Sequence, residues 1–192
     1  MLDPFGYGGA GGGASPNLQA VPGCNFTDQL SGIAALIYFW IAAVSIMADQ
    51  LTKYLVAANN SLYDSTEIIP GFFNLVYVTN KGAAFSMFAD MQSPLRHYFF
   101  LGAAFLACLG LTIINVRLDG RQRVYRAALG LIAGGAAGNL IDRLRHGAVI
   151  DFLDFYWGSY HWPAFNVADS CICVGAVLLL ILNFMAEEKK EV

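Results

Sequence analysis

Charged residues are scarce in this chain of 192 residues: 13% are Asp, Glu, Lys or Arg, whereas 57% are hydrophobic. The mean hydropathy is +0.53. A water-soluble domain needs more polar surface than this composition supplies. The net charge of −3 is small and the Lys and Arg residues form no basic stripe, so no nucleic-acid partner is expected. The composition therefore predicts one domain embedded in a membrane.

The sequence also lacks the spacings of common metal sites. Its three histidines are isolated, and no His-Glu-x-x-His pattern is present. Of the four cysteines, Cys108, Cys171 and Cys173 lie in apolar runs, and the spacing of the last two is not that of metal ligands. These cysteines are predicted to be small apolar packing residues, and neither a metal nor a cofactor is expected.

Long apolar runs are the dominant positive feature. They cover about residues 33–56, 98–116, 125–142 and 167–186. A hydrocarbon layer of about 30 Å requires about 20 helical residues, and each run is near that length. The third run is rich in Gly and Ala, which allow helices to approach closely in lipid. Because almost no polar face is left over, a soluble four-helix bundle is disfavoured.

The remaining segments are predicted from their composition. Residues 1–30 are rich in Gly and Pro, contain no Lys or Arg, and are expected to form a flexible tail before a four-helix transmembrane domain at 31–187. Residues 188–192 form a short cytoplasmic tail. Within the connection at about 60–94, Phe72–Thr79 follows Pro70-Gly71 and reads as a strand of a small sheet. The aromatic segment 142–166 is predicted to be an interfacial loop or helix.

Orientation follows from the distribution of basic residues. The loop between the second and third runs carries Arg117, Arg121, Arg123 and Arg126, and the C-terminal tail carries Lys189 and Lys190. The positive-inside rule places both on the cytoplasmic side. With four spans, the N-terminus is cytoplasmic too. Segments 57–94 and 142–166 then lie on the extracytoplasmic face. The predicted fold class is therefore an all-α membrane protein with four transmembrane helices, a small extracytoplasmic β-sheet and an interfacial loop or helix.

This topology brings polar residues from three helix ends to one layer of the membrane. The end of the first span contributes Asp49 and Lys53, which are four residues apart and can form an ion pair. The other two spans contribute pairs of Asn and Asp at a spacing of three residues: Asn139 with Asp142, and Asn166 with Asp169. Ionisable residues within a membrane span are costly and usually functional, so a shared site is predicted.

Two carboxyl groups at such a site predict acid–base chemistry. Like charges at short range cannot both ionise easily, and the pair shares a proton. The ionised member takes a proton from water, and the protonated member polarises a scissile carbonyl. Asp142 and Asp169 are therefore the predicted catalytic pair of a peptidase that uses neither a metal nor a covalent intermediate. A proton- or ion-coupled transporter would use similar intramembrane acids, and a lipid-binding scaffold is a third possibility. A serine mechanism at Ser170 is disfavoured, because no Lys or His lies at an activating helical spacing.

Five short blocks resemble a known family. The blocks resemble the signatures of bacterial lipoprotein signal peptidase (signal peptidase II), fall in that family's order and cover roughly residues 32–186. They are Asp49-Gln50-Leu51-Thr52-Lys53, Asn80-Lys81-Gly82-Ala83-Ala84-Phe85, Gly138-Asn139-Leu140-Ile141-Asp142-Arg143, Val149-Ile150-Asp151-Phe152 and Phe165-Asn166-Val167-Ala168-Asp169-Ser170.

The resemblance implies an aspartic endopeptidase of the bacterial inner membrane. It would remove the signal peptide from diacylglyceryl-modified prolipoproteins by cutting just before the lipidated cysteine. Its expected partners are these precursors, membrane lipids and inhibitory cyclic peptides such as globomycin, and a monomer is expected.

The resemblance also implies roles for site residues. It assigns catalysis to Asp142 and Asp169. Support of the pair or binding of substrate is expected from Asn80, Gly82, Asn139, Arg143, Asn166 and Ala168. Structural polar roles are expected from Asp49, Lys53 and Asp151, the last as a residue that ties down the outer loop. Gly82 and Gly138 are expected to permit close backbone approach.

Overall fold

The computed structural model describes residues 26–82, 94–118 and 122–188. The described part contains four helices: α1 (Phe26–Asn59), α2 (Pro94–Arg117), α3 (Arg123–His146) and α4 (Val167–Glu188). All four are long and apolar enough to cross a membrane. The four predicted spans are confirmed, and the helices extend beyond the apolar runs by a few residues. Most of the predicted N-terminal tail, and all but residue 188 of the predicted C-terminal tail, lie outside the described residues.

Helix α3 lies at the centre of the bundle and packs against each of the other three helices. Its small residues allow this position. A Cβ atom added to Gly134 would lie 2.7 Å from the backbone oxygen of Ala42, and one added to Gly135 would overlap the backbone oxygen of Ala168. The absence of side chains at these two positions lets α1 and α4 approach α3 closely. In contrast, α2 and α4 expose many large apolar side chains, as helices facing lipid do.

A four-stranded antiparallel sheet in the order β1-β2-β3-β4 accompanies the helices. Its strands are β1 (Ser65–Ile69), β2 (Phe73–Asn80), β3 (Val149–Trp157) and β4 (Tyr160–His161). Strands β1 and β2 confirm the sheet predicted in the first extramembrane connection. The predicted fold, mainly helical with four membrane helices and a small sheet, is confirmed.

The structure corrects one detail of that prediction. The segment 142–166 contains strands β3 and β4 rather than an interfacial loop or helix. Strand β3 pairs along most of β2, from Phe73 opposite Phe155 to Asn80 opposite Val149. The aromatic residues that suggested an interfacial segment are largely sheet residues, and the pairing that orders them involves a strand about 75 residues earlier in the chain.

The turn between α3 and β3 positions the functional region. Helix α3 is capped by Gly147, whose φ of 71° is left-handed and suits glycine, and whose N–H donates to the backbone oxygen of Arg143. The chain then reverses into β3. As a result the last turn of α3 and the first residues of β3 lie beside each other, close to the start of α4.

Candidate active site

The predicted polar residues meet where the ends of three helices adjoin the sheet. The second half of α1, the last turns of α3, the first turn of α4, the end of β2 and the start of β3 all contribute. The site contains Asp49, Gln50, Lys53, Asn80, Asn139, Asp142, Arg143, Asp151, Asn166, Ala168 and Asp169. The predicted residues therefore lie in a common region, but their contacts divide them into two groups.

The first group, the lysine cluster, consists of Lys53, Asp49 and Asp142. The ammonium nitrogen of Lys53 lies 2.8 Å from a carboxylate oxygen of Asp49 and 2.8 Å from one of Asp142. The three side chains are buried, with exposed fractions of 2%, 0% and 3% respectively. The predicted ion pair of Asp49 with Lys53 is thus present, and Asp142 is a second carboxylate on the same lysine.

Asp142 has further donors that occupy its carboxylate. Oδ1 accepts a hydrogen bond of 2.8 Å from Nε2 of Gln50, and Oδ2 accepts one of 3.1 Å from the backbone N–H of Ile150. With the bond to Lys53, both oxygens of Asp142 are engaged by buried or half-buried donors. Such an arrangement ties α1, α3 and β3 together.

Asp49 links the lysine cluster to α4. Its Oδ1 accepts a hydrogen bond of 2.9 Å from the backbone N–H of Ala168, which is fully buried. A Cβ added to Gly138 would lie 2.5 Å from Oδ2 of Asp49 and 3.4 Å from the Cβ of Ala168. Gly138 therefore permits the close approach expected of it, and Ala168 is a packing residue and backbone donor.

The second group, the aspartate pair, consists of Asp151 and Asp169. Asp151 is the third residue of β3 and is almost fully buried, whereas Asp169 in the first turn of α4 is partly exposed. Burial and the charge of Asp169 raise the pKa of Asp151 from its ordinary 3.8 to about 7. Opposing effects on this pKa are smaller and come from hydrogen bonds to Asn166 and Asn80 and from the charge of Lys53.

Two asparagines hold the aspartate pair. Nδ2 of Asn166 donates to Oδ1 of Asp151 at 2.7 Å, while its Oδ1 accepts the backbone N–H of Asp169 at 2.9 Å and so caps α4. Nδ2 of Asn139 donates to Oδ1 of Asp169 at 2.8 Å. The side-chain oxygen of Asn139 accepts a hydrogen bond of 3.1 Å from Lys53, which connects the two groups.

Asn80 and Gly82 bring the end of β2 to the pair. The side chain of Asn80 is hydrogen-bonded to Asp151, and its Oδ1 also accepts the backbone N–H of Gly82 at 2.8 Å. Gly82 has a φ of 100°, and a Cβ there would lie 2.5 Å from the ring of Phe100. Both the backbone conformation and the close ring explain the requirement for glycine. Ala83, Ala84 and Phe85 of the same block lie outside the described residues.

Arg143 lies over the ring of Phe100, near the aspartate pair. Its guanidinium carbon is 5.5 Å from the centre of the Phe100 ring, and Nη1 donates to the backbone oxygen of Asn139 at 3.2 Å. It is close enough to Asp169, Asp151 and Asp142 to interact electrostatically with each. Arg143 can therefore balance negative charge that develops at the pair without contacting either carboxylate directly.

The structure thus gives Asp142 and Asp151 different surroundings from those predicted. Asp142 is joined to Asp169 through Lys53 and Asn139, whereas Asp151 interacts with Asp169 as one charge with another. Sequence reasoning gave Asp151 only the task of securing a loop. The signal that could have identified it is a lone acid within the apolar run Val149-Ile150-Asp151-Phe152, because an unpaired buried charge is costly and usually functional.

A sequence profile described as Signal peptidase (SPase) II matches residues 41–185. The chain belongs to this family. It is 46% identical over 155 residues to a lipoprotein signal peptidase of Geobacter metallireducens, covering 81% of this chain and 94% of the relative. It is 43% identical over 161 residues to a lipoprotein signal peptidase of Haemophilus influenzae, covering 84% and 93%. Membership confirms the resemblance and identifies a peptidase and a multi-pass bacterial membrane protein.

Two solved structures share the fold. A bacterial membrane enzyme determined by the in meso method at 2.3 Å resolution has a TM-score of 0.70 and 31% identity, covering 80% of this chain and 90% of that chain. A second, at 1.9 Å resolution, has a TM-score of 0.67 and 32% identity, covering 76% and 90%. The arrangement of helices and sheet is therefore one that experimentally determined membrane enzymes adopt.

Proposed function

We propose that this member of the signal peptidase II family removes signal peptides from diacylglyceryl-modified prolipoproteins and that Asp151 and Asp169 perform the hydrolysis. The observation that carries this assignment is that the side chain of Asn166 bonds both to the buried carboxyl group of Asp151 and to the backbone N–H of Asp169. Burial, and after it the charge of Asp169, raises the pKa of Asp151 to about 7. Two carboxyls that share one proton supply the base and the acid of an aspartic peptidase. Asp142 is assigned to the structural lysine cluster.

The environments of the two residues divide the roles. Asp169 is partly exposed and supplies the negative charge, so it takes a proton from the attacking water. Asp151 is buried and retains its proton near neutral pH, so it donates a hydrogen bond to the scissile carbonyl oxygen. When the tetrahedral intermediate collapses, the leaving nitrogen receives the proton that Asp169 took from water, and the carbon–nitrogen bond breaks. Water and the peptide bond thus become a carboxyl group and an amine.

The neighbouring residues position this pair. Asn166 contacts Asp151 through its side-chain nitrogen and Asp169 through its side-chain oxygen, so it fixes their relative placement. Asn139 holds Asp169, and Asn80 holds Asp151. Arg143 balances the negative charge of the transition state. Lys53 and Asp142 secure α3 against α1 and the backbone of Ile150, which immediately precedes Asp151.

The location of the site in the cell is a further part of the proposal. Arg117 ends α2 and Arg123 begins α3, and both lie at the opposite end of the bundle from the aspartate pair. By the positive-inside rule, this basic end and both termini lie on the cytoplasmic side of the inner membrane. The pair then lies near the extracytoplasmic face, and the lipidated cysteine approaches it from the outer leaflet. The enzyme acts as a monomer and is blocked by globomycin-type cyclic peptides.

Single Asp→Asn variants test the assignment of the pair. In detergent with a lipid-modified precursor, Asp151→Asn and Asp169→Asn should each lose at least about 100-fold in cleavage rate, the lower end of acid–base contributions. Asp154→Asn is the matched control, because Asp154 lies in the same strand but pairs with His161 and Asn74 away from the site. It should cleave normally.

Asp142→Asn separates this proposal from the pair predicted from sequence. It should lower the melting temperature, because it weakens the lysine cluster, and retain measurable cleavage at temperatures where it is folded. Near-normal cleavage by Asp151→Asn, together with complete loss in folded Asp142→Asn, would assign catalysis to Asp142 and Asp169 instead. Ion flux in reconstituted vesicles without precursor cleavage would point to the transporter alternative.

A further inference from the structure

One face of the four-stranded sheet is aromatic. Side chains alternate between the two faces along a strand, and residues paired across two strands lie on the same face. Phe73 pairs with Phe155, and Trp157, two residues after Phe155, pairs with Tyr160. Trp162 lies two residues after Tyr160, and its N–H donates to the backbone oxygen of Phe155. We call this side of the sheet, with Phe73, Phe155, Trp157, Tyr160 and Trp162, the aromatic face.

The opposite face of the sheet is polar. It carries Glu67, Asn74, Asp154, Tyr156 and His161. The carboxylate of Asp154 accepts a hydrogen bond of 2.9 Å from Nδ2 of Asn74 and lies 2.9 Å from Nδ1 of His161. The ring of Tyr156 stacks on the imidazole of His161, and its hydroxyl donates to the carboxylate of Glu67. These acids, amides and imidazoles suit contact with water and not with lipid.

The active site shows which face is turned towards the helices. Asp151 precedes Phe155 by four residues in β3, so both side chains lie on the same face. The carboxylate of Asp151 contacts Asn166, the cap of α4, at 2.7 Å. The ring of Phe155 stacks on that of Phe165, which directly precedes Asn166, with 5.8 Å between ring centres. The aromatic face is therefore turned towards the point where the membrane helix α4 begins, and the polar face is turned away.

The outer part of the aromatic face is uncovered. Trp157, Tyr160 and Trp162 in the hairpin formed by β3 and β4 are 83%, 68% and 55% exposed. Trp and Tyr are enriched at the level of lipid headgroups, because each combines a large apolar ring with one polar group. The four strands contain no Lys or Arg, so attraction to anionic headgroups does not hold the sheet. Contact with the membrane must then depend on the rings.

We propose that the β3–β4 hairpin inserts Trp157, Tyr160 and Trp162 into the headgroup region of the lipid leaflet beside the active site and anchors the sheet there. The polar face of the hairpin remains in water. One end of β3 is then held by lipid, while Asn166 holds its other end through Asp151. The proposal rests on the membrane location of the helices and not on which aspartates are catalytic.

Tryptophan fluorescence of the full chain in phosphatidylcholine vesicles tests this proposal. The chain has three tryptophans, Trp40, Trp157 and Trp162, so the variant Trp40→Phe/Trp162→Phe reports on Trp157 alone. Phosphatidylcholine brominated in the upper part of its acyl chains should quench the emission of Trp157, and aqueous iodide should quench it little. Replacing part of the lipid by phosphatidylglycerol should leave this quenching unchanged, because the strands carry no cation.

A tryptophan on the polar face of the same hairpin is the matched control. His161→Trp, combined with Trp40→Phe, Trp157→Phe and Trp162→Phe, should show the reverse pattern, with quenching by iodide and little by brominated lipid. Glu67→Trp, also on the polar face, takes its place if melting curves show that His161→Trp unfolds. Trp40 is 70% exposed on the span of α1, so as the sole tryptophan it is the positive reference for contact with lipid.

Four results would overturn the proposal. Quenching of Trp157 by iodide and not by brominated lipid would place the aromatic face in water. Equal lipid quenching of Trp157 and His161→Trp would show that the two faces do not differ. Lipid quenching only with phosphatidylglycerol would indicate attraction by charge. Emission of Trp157 that changes with added precursor, in an Asp169→Asn background, but not with brominated lipid would assign the aromatic face to substrate.

Discussion

Replacing Lys53 by methionine should destabilise the folded protein strongly. Nζ of Lys53 lies 2.8 Å from a carboxylate oxygen of both Asp49 and Asp142, and all three side chains are buried. Methionine has a similar length but no charge, so Lys53→Met leaves two buried carboxylates without their shared cation. The oxygen of Asn139 also loses its 3.1 Å donor. The prediction tests whether the lysine cluster holds the bundle together.

The remaining contacts set the size of the effect. Removing one partner of a buried ion pair costs about 3–5 kcal/mol. Each carboxylate keeps other donors: Asp49 keeps the N–H of Ala168, and Asp142 keeps Gln50 and the N–H of Ile150. These donors favour the lower end, about 3 kcal/mol. For a chain of this size, about 2–4 °C of melting temperature corresponds to each kcal/mol, which gives a decrease of about 6–12 °C.

Thermal unfolding in detergent micelles measures this decrease. The double variant Lys53→Met/Asp142→Asn should recover part of it, because a neutral amide replaces one uncompensated carboxylate. Lys81→Met is the control: Lys81 is exposed, so its stability should change by less than about 0.5 kcal/mol. A decrease of less than about 2 °C for Lys53→Met, or no recovery in the double variant, would refute the reasoning.

Three further changes probe the aspartate pair and the packing beneath it. Cleavage should decline as pH rises through about 7, because Asp151 must keep its proton. The raised pKa also means that the stability that Asp151 contributes below its unfolded pKa is lost over the same rise in pH. Asp151→Asn should remove this pH dependence of stability. Asn80→Ala should move the alkaline decline to higher pH in a pH–rate profile, because the hydrogen bond of Asn80 lowers the pKa of Asp151; an unchanged or lower midpoint would contradict this. Gly138→Ala should lower both the melting temperature and the activity, because its Cβ would lie 2.5 Å from Asp49. Gly102→Ala is the control and should lower neither, because a Cβ there meets nothing within 4 Å. Equal effects of the two substitutions would argue against steric packing at Gly138.

The helices were predictable because burial in lipid depends on local composition. Apolar runs located all four spans, and the glycines of α3 indicated close packing. The ends were less certain, since α2 begins at Pro94 and α3 extends to His146, past the apolar runs. Polar residues at a helix end continue the backbone hydrogen bonds without continuing the hydrophobic pattern, so hydropathy cannot locate the last turn.

The sheet was predictable only in part. The run Phe72–Thr79 has the β-branched and aromatic residues of a strand and became β2. Strand β3 is equally apolar but contains two acids, Asp151 and Asp154, which obscure the pattern. Its order derives from pairing with β2, a non-local interaction that no short window reveals. The same pairing brings Asp151 to Asn80, so a prediction that lacks the strand also lacks the role proposed for Asp151.

The four acids of the site are all aspartates, so residue type alone could not separate their proposed roles. They differ in the cations and amides around them. Asp49 and Asp142 share Lys53, so each carboxylate directly contacts a cation. Among the described residues, no Lys or Arg nitrogen lies within 4 Å of the carboxylates of Asp151 or Asp169. Their hydrogen-bond donors include the amides of Asn166 and Asn139, which orient a carboxyl group without fixing its charge. Under the proposed assignment, a proton moves between water, substrate and this pair, whereas the lysine cluster would have to break an ion pair to take part.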